Sequence, residues 1–298
     1  SEQFAKDWEI TAYDLCDPSE EPAADHLQEE ASKMEAAALA CAGIEQTSDA
    51  SASYSKSDVF LATSNGFSGG YERTSRGLSC VAIAGTGLGM ERDYDYSSAV
   101  FETDLDGSDA VGQSAAKRTL ERLGASKAKT GKFPVIYDRR VAASLVSTVA
   151  SAINGAAVAR GTSFLKDQLG KKIAADGLHF IDDPLRPRGM GSRPFDAEGC
   201  PVQTRKMVED GVLQGWFLDL SSAAKLGLSS MGNAKRSLGS APSPGSSNFY
   251  LENGKIDRDD LIADIEEGFL VTELMGSSVD MITGDYSRGA GGFWISKG

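Results

Sequence analysis

The sequence predicts an α+β protein built from two different α+β domains, the C-terminal one β-rich with a long small-residue helix packed on its sheet. Three observations carry this. Stretches with helical apolar spacing, at residues 20–41, 106–124 and 138–160, are interleaved with runs that alternate polar and apolar residues like strands. The polar, flexible run Ala125-Ser126-Lys127-Ala128-Lys129-Thr130-Gly131 separates two structured segments and places a boundary between domains 1–130 and 131–298. Six glycines between Gly268 and Gly292 punctuate β-branched and aromatic residues, the texture of a tightly turned sheet.

Composition bounds the rest. At 298 residues the chain suits one large domain or two ordinary ones, and 41% hydrophobic residues supply a sizeable core. A net charge of -13 argues against general binding to nucleic acid or an anionic membrane, because phosphate contacts need clustered Lys and Arg. No apolar run approaches the roughly 20 residues needed to span a bilayer. The chain starts at Ser1 and continues acidic, so no leader is visible. Cys16, Cys41, Cys80 and Cys200 form no C-x-x-C pair and read as thiols in a reducing, cytoplasmic compartment. Histidine is limited to His26 and His179.

In chain order, Phe4, Trp8 and Tyr13 precede a turn at Asp17-Pro18. Leu27, Met34, Ala38 and Cys41 fall at helical spacing and predict an amphipathic helix from Glu20 to Cys41, with His26 on its solvated flank. Residues 49–98 read as strands, with turn signals at Ser57-Asp58, Asn65-Gly66 and Gly69-Gly70. Gly85-Thr86-Gly87-Leu88-Gly89 follows the strand-like run Leu78–Ala84 but matches no G-x-G-x-x-G, and a charged strand follows it. It reads as a hairpin turn rather than a nucleotide loop. Asp106–Gly124 is a helix, with Asp106 or Ser108 as cap and Gly124 as stop. Phe133–Tyr137 is a strand, and Asp138–Arg160 a single long helix of small residues. A strand at Leu178–Ile181 leads into an Arg/Gly/Pro-rich loop, then strands through Phe217. A helix from about Ser221 stops at Gly227, and 237–248 is a Ser/Gly/Pro-rich loop. Asp257 caps a last acidic helix that Gly268 ends.

Chemistry is sparse. There is no H-E-x-x-H or H-E-x-x-x-H, so a self-contained histidine-based zinc site is excluded, and no G-x-S-x-G elbow supports a Ser/His/Asp triad. Arg186, Arg188 and Arg193 are a candidate carboxylate or phosphate clamp, against the commoner reading of surface arginines beside acidic patches. Asp196 and Glu198 are a candidate acid–base pair, against the commoner reading of carboxylates capping backbone amides in a turn.

Several long motifs resemble the PmbA/TldD family: Gly66-Phe67-Ser68-Gly69-Gly70-Tyr71, Gly191-Ser192 with Pro194–Gly199, Gly232-Asn233-Ala234, Leu270–Gly276, and Gly284-Asp285-Tyr286-Ser287-Arg288-Gly289 with Ala290–Trp294. Family members begin further upstream and continue past Trp294, so the chain resembles the middle and most of the C-terminal part. The family implies two kinds of subunit acting together as a cytosolic zinc metalloprotease, a hydrolase of small or unfolded peptides linked to peptide-antibiotic maturation and antitoxin turnover, and also named a modulator of DNA gyrase. TldD carries H-E-x-x-x-H on the helix matching Leu145–Ile153. Here the corresponding positions are Val146, Ser147 and Ser151, as in the PmbA (TldE) branch.

The resemblance thus implies a subunit without zinc, with no cofactor and no catalytic residue of its own, working beside a zinc-bearing TldD-like partner in a heterodimer or as a homodimer. Asn233, Thr272, Gly276, Gly284, Asp285, Tyr286, Arg288 and Gly289 are its candidate peptide-cavity wall. Two rivals stand beside it: a peptidase in its own right with a non-histidine metal site from Asp, Glu or Cys, and a non-enzymatic interaction protein that binds a partner such as gyrase.

Overall fold

Serine- and threonine-rich segments alternate in side-chain character from residue 44 to 84, and they form one antiparallel hairpin rather than several short strands. Its arms, β1 (Ile44–Ala62) and β2 (Ser68–Ala84), pair from Ile44 opposite Ala84 to Ala62 opposite Ser68. This computed structural model describes residues 4–5, 13–64, 66–276 and 279–298, so the expectations at Trp8 and Asn65 lie outside the described residues. At the closed end of the hairpin the Thr63 N–H donates to the Phe67 carbonyl at 2.9 Å. The turns expected at Ser57-Asp58 and Gly69-Gly70 are instead mid-strand, opposite Arg73 and Glu72 and opposite Leu61 and Phe60. A continuous antiparallel ladder runs through both dipeptides, and its cooperative pairing outweighs the local turn preference of Ser, Asp and Gly.

The third strand, β3 (Glu91–Ala99), pairs only with Arg76–Ala84 of β2, so the hairpin end extends beyond it. Leu78, Cys80, Ala82 and Ala84 are buried at period two along β2. Helices α1 (Ala24–Leu39) and α2 (Ser108–Glu121) cover that face through Met34, Ala38, Val111, Ala115 and Ala116. Gly112 permits the helices to approach this closely: a Cβ there would lie 2.1 Å from the Met34 carbonyl oxygen. Neither expected cap operates on α2. Its N-cap is Gly107, and the Ser108 hydroxyl donates to Glu30 on α1 at 2.5 Å. An inter-helix bond has taken the hydroxyl that a cap would use.

Strand β4 (Val135–Tyr137) opens the C-terminal part and lies parallel to β11 (Glu267–Met275), which pairs antiparallel with β12 (Gly289–Ser296). A second sheet has the order β10-β5-β6-β7, from β5 (Phe180–Asp182), β6 (Arg205–Glu209), β7 (Val212–Leu213) and β10 (Phe249–Leu251). The pair β8 (Ala234–Lys235) and β9 (Ser243–Pro244) shows that the expected 237–248 loop is a hairpin connection.

The expected single helix over 138–160 is two: α3 (Arg139–Ala152) and α4 (Gly155–Arg160). Asn154 breaks it by capping α4, its Oδ1 accepting from the Ala156 and Ala157 N–H groups. Gly155 makes the break tolerable, since a Cβ there would lie 2.5 Å from the Phe217 carbonyl oxygen. Helix α5 (Leu220–Leu226) stops at Gly227 in a left-handed conformation, as expected. Helix α6 (Arg258–Ala263) ends well before Gly268, which lies inside β11 against the Pro134 backbone, and Asp257 is its N-cap without a side-chain bond. The second core gathers Ile153, Met207, Leu213, Trp216 and Phe217. Among the described residues no helix is long and apolar enough to cross a membrane.

The two parts are tied by ion pairs. Arg122 at the end of α2 reaches Glu273 of β11 at 2.5 Å and Glu91 at 3.2 Å, and Arg140 at the start of α3 reaches Asp93 of β3 at 3.0 Å.

Candidate functional site

Helix α3 is oriented by Asp138, whose Oδ1 accepts the Arg140 N–H at 3.1 Å. Val146 turns inward against the second core, while Ser147 and Ser151 are exposed one turn apart. The Ser147 hydroxyl donates to the Ala143 carbonyl and the Ser151 hydroxyl to the Ser147 carbonyl, each at 2.9 Å. Zinc takes imidazole, thiolate or carboxylate ligands. Val146 has no donor atom, and the two hydroxyls are engaged with helix carbonyls. These residues do not fit a zinc ion.

The expected cavity-wall residues lie on three stretches of the chain, each with its own neighbours. Gly284, Asp285, Tyr286 and Arg288 belong to the connection between β11 and β12, and Gly289 opens β12. There Asp285 Oδ2 accepts from the Thr283 hydroxyl at 2.8 Å, and the Gly284 backbone rests on the Phe164 ring. Tyr286 sits beside Tyr137, whose phenol is pushed up by burial and by Tyr286 itself. The Arg288 Nε is buried without a hydrogen-bond partner. Gly276 is exposed just after β11, and Gly289 pairs with Met275 at its start. Thr272 points elsewhere, into a cavity of about 530 Å³ shared with Asp93, Asp138 and Arg140. Asn233 belongs to a third place: it is 4% exposed, donates to Asp182 Oδ2 at 3.2 Å and accepts the Leu218 N–H at 3.4 Å.

Around Asn233 the chain buries several charges whose burial the sequence does not show. Asp182 is 1% exposed, and its Oδ1 accepts both the N–H and the hydroxyl of Ser247, at 2.6 and 2.9 Å. Asp196, also 1% exposed, accepts the N–H groups of Glu198 and Cys200 on Oδ1 and of Ala234 on Oδ2, at 2.8 to 3.0 Å. Burial holds both carboxyls above the ordinary range, only partly offset by these donors. The signals were the Asp182-Asp183-Pro184 turn and the Asp196-x-Glu198 pair, but burial of the first depends on Ser247, distant in sequence.

Asp196, Glu198 and Cys200 bring one ligand atom each to within 4.8 Å of one another, the nearest approach here to a non-histidine metal site. Their chemistry opposes that use. Both Asp196 oxygens accept backbone N–H groups, and Glu198 Oε2 accepts the Leu220 N–H at 2.8 Å. Burial, then Asp196, pushes the Cys200 thiol up to about 12, far from the thiolate a metal needs. The two carboxylates cap backbone amides rather than forming an acid–base pair.

The three loop arginines part company. Arg186 stacks over the Tyr250 ring at 5.7 Å. Arg188 bonds Asp104 at 3.1 Å and lies 3.9 Å above the Phe101 ring. Arg193 is buried. Of the histidines, His26 is exposed on α1, and His179 Nδ1 accepts the Asp210 N–H at 3.0 Å.

Residues 17–123 match the PmbA/TldA metallopeptidase central domain and residues 130–298 the PmbA/TldA metallopeptidase C-terminal domain. The chain is 40% identical over 235 residues to Metalloprotease PmbA of Escherichia coli O157:H7, covering 79% of this chain and 50% of that protein. It is 28% identical over 208 residues to a Metalloprotease TldD homolog of Buchnera aphidicola, covering 67% of this chain and 42% of that one. A crystal structure of a Bacteroides thetaiotaomicron protein, named a candidate modulator of DNA gyrase, superposes with a TM-score of 0.86 at 31% identity, over 99% of this chain and 65% of that one. TldE from Thermococcus kodakarensis shares the fold, with a TM-score of 0.82 at 21% identity over 95% of this chain and 67% of that one. The chain spans about half the length of the curated relatives it matches. On these matches it belongs to the PmbA/TldD family of metallopeptidases.

Proposed function

We propose that this chain is the zinc-free, PmbA/TldE-like subunit of a cytoplasmic zinc-metalloprotease complex that matures or degrades small or unfolded peptides. The observation that carries this is helix α3: in a metallopeptidase family, Val146, Ser147 and Ser151 offer no group able to hold zinc. The zinc and the water it activates then belong to a TldD-like partner, and this chain contributes shape and backbone donors around the peptide. A glycine-bearing strand such as β12 suits an extended peptide, because strand addition uses backbone groups and requires little side-chain bulk. The domain division at about residue 130 is part of the same reading.

The test is zinc-dependent cleavage of short unstructured peptides by the purified protein alone, by a TldD-like partner alone, and by the two together. Cleavage with the pair and none with this protein alone is the expected result. Robust zinc-dependent cleavage by this protein alone overturns it. A second reading, a non-enzymatic modulator of gyrase, is favoured by the name given to the Bacteroides thetaiotaomicron structure. A pull-down that recovers gyrase and no TldD-like chain supports it.

A further inference from the structure

The end of the β1–β2 hairpin reaches across to the C-terminal domain and walls a cavity of about 650 Å³, a size typical of small-ligand sites, which favour such domain junctions. Phe60 and Tyr71 of the hairpin and Phe195 of the facing loop form apolar walls. Arg193 also lines it. This residue is 8% exposed, and its Nε and Nη2 are buried with no hydrogen-bond partner. Two buried carboxylates, Asp182 and Asp196, favour its charge through space but make no contact with it. Asp182 and Asp196 direct their oxygens to Ser247, Asn233, Glu198, Cys200 and Ala234, and neither forms an ion pair with Arg193.

Leaving a buried guanidinium unpaired costs several kcal/mol in general, so a fold that retains one points to a ligand. The charge of the lining points the same way. In a chain of net charge -13, four basic residues (Arg73, Arg193, Lys235, Arg236) face this cavity against two acidic ones (Asp58, Asp196). Lys235 is exposed at the rim of the cavity, and partial desolvation followed by the Arg193 guanidinium lowers its amine. A cation disfavoured by a neighbouring cation is relieved by an anion that both can reach.

A local excess of positive charge flanked by aromatic side chains matches an organic anion with an apolar body better than a bare inorganic ion. We propose that this cavity is a carboxylate subsite in which Arg193, with Lys235 beside it, holds the C-terminal carboxylate of a short peptide. The assignment to a peptide rests on the function proposed above; the carboxylate preference rests on the cavity alone. A guanidinium fork suits a carboxylate. The site lies apart from α3, so it acts on where a peptide is anchored and not on bond cleavage.

The test is calorimetric titration of the purified protein, without any partner, with N-acetyl-Ala-Ala-Phe as the free acid and as the C-terminal amide, and with inorganic phosphate and acetate. The free acid should bind about tenfold or more tightly than the amide, as loss of a charge-assisted hydrogen bond implies. Arg193→Met should abolish that difference, and Arg186→Met, on the far side of the loop over Tyr250, should leave it intact. Should Arg193→Met fail to fold by circular dichroism, Arg193→Lys serves instead and should retain a reduced preference. Equal binding of acid and amide, or full preference in the Arg193 variants, overturns the proposal. Tight phosphate or acetate binding with no binding of either peptide overturns the peptide as ligand. Because binding is read without a partner, failure of the proteolysis assay leaves this result standing, and the reverse also holds.

Discussion

At the junction between the two family domains, Asp93 is 7% exposed and lies between two guanidiniums, Arg140 Nη1 at 3.0 Å and Arg122 Nη1 at 3.7 Å. Arg140 also donates to the Tyr94 carbonyl at 2.7 Å and covers that residue's ring. Beneath the Arg193 cavity the same residue types are as deeply buried, yet each carboxylate is held by backbone N–H groups, hydroxyls or an amide, and the arginine is left over. The difference separates two uses of buried charge. Opposite charges that neutralise one another lock elements together, here α2, α3 and β11 onto β3. A charge whose natural partners are engaged elsewhere is free to meet something that arrives from outside.

The largest effect should come from breaking the locked cluster. Asp93→Ala removes the shared acceptor and leaves Arg140 and Arg122 facing each other with Asp138, Glu91 and Glu273 as remaining acids. Removal of one partner from a buried ion pair costs roughly 3–5 kcal/mol. The unfolding midpoint in urea should fall accordingly with an unchanged slope, and a loss below about 1 kcal/mol would show that the junction is not locked by charge.

The open cluster should respond differently. Arg193→Met replaces an unpaired guanidinium with an apolar side chain of similar length beside Tyr71 and Phe195. Since the variant removes desolvated donors that have no acceptor, stability should change by less than about 1 kcal/mol or rise. A loss as large as that of Asp93→Ala would mean that Arg193 is a structural counter-ion after all, and would remove the contrast between the two clusters. Urea unfolding of both variants under one set of conditions decides it.

Much of this architecture follows from local pattern, and the exceptions share a cause. The period-two burial of Leu78, Cys80 and Ala82 and the left-handed stop at Gly227 depend on neighbours in sequence, so they are readable there. The break at Asn154 was missed because Ala- and Val-rich flanks favour one continuous helix. What decides the matter is the Phe217 backbone packed on Gly155. Gly268 looks like a helix stop for the same reason, until Pro134 is placed beside it. The site shows the same division. That Val146, Ser147 and Ser151 cannot bind zinc is legible from residue type. What surrounds Asn233, Thr272 and the 284–288 connection is not, because each is set by contacts far along the chain. Arg193 stood in a loop with two other arginines, and only tertiary burial distinguishes it from Arg186 and Arg188.

The smallest expected effect concerns how the two regions answer to pH. In the central domain, burial raises Asp17, but the N–H groups of Glu102 and Ser19 and the Arg76 charge outweigh it and hold the carboxyl below its ordinary value. Its contribution to stability is therefore present above the unfolded-state pKa and is lost as pH falls through the lower folded one. Glu198, at the edge of the open cluster, is shifted the other way: burial raises it, the Leu220 N–H opposes, and Asp196 and Asp219 add to the rise. Its contribution is fully present below the unfolded value of about 4.3 and is lost as pH climbs through the raised folded value. Glu198→Gln retains an oxygen to accept the Leu220 N–H and removes the titration. The stability of the variant relative to wild type should then increase between about pH 4 and pH 7, modestly because Glu198 is only partly buried. Urea unfolding at both pH values measures the difference. A constant difference would place Glu198 with the exposed carboxylates, and a falling one would mean that its charged form is favoured in the fold, as that of Asp17 is.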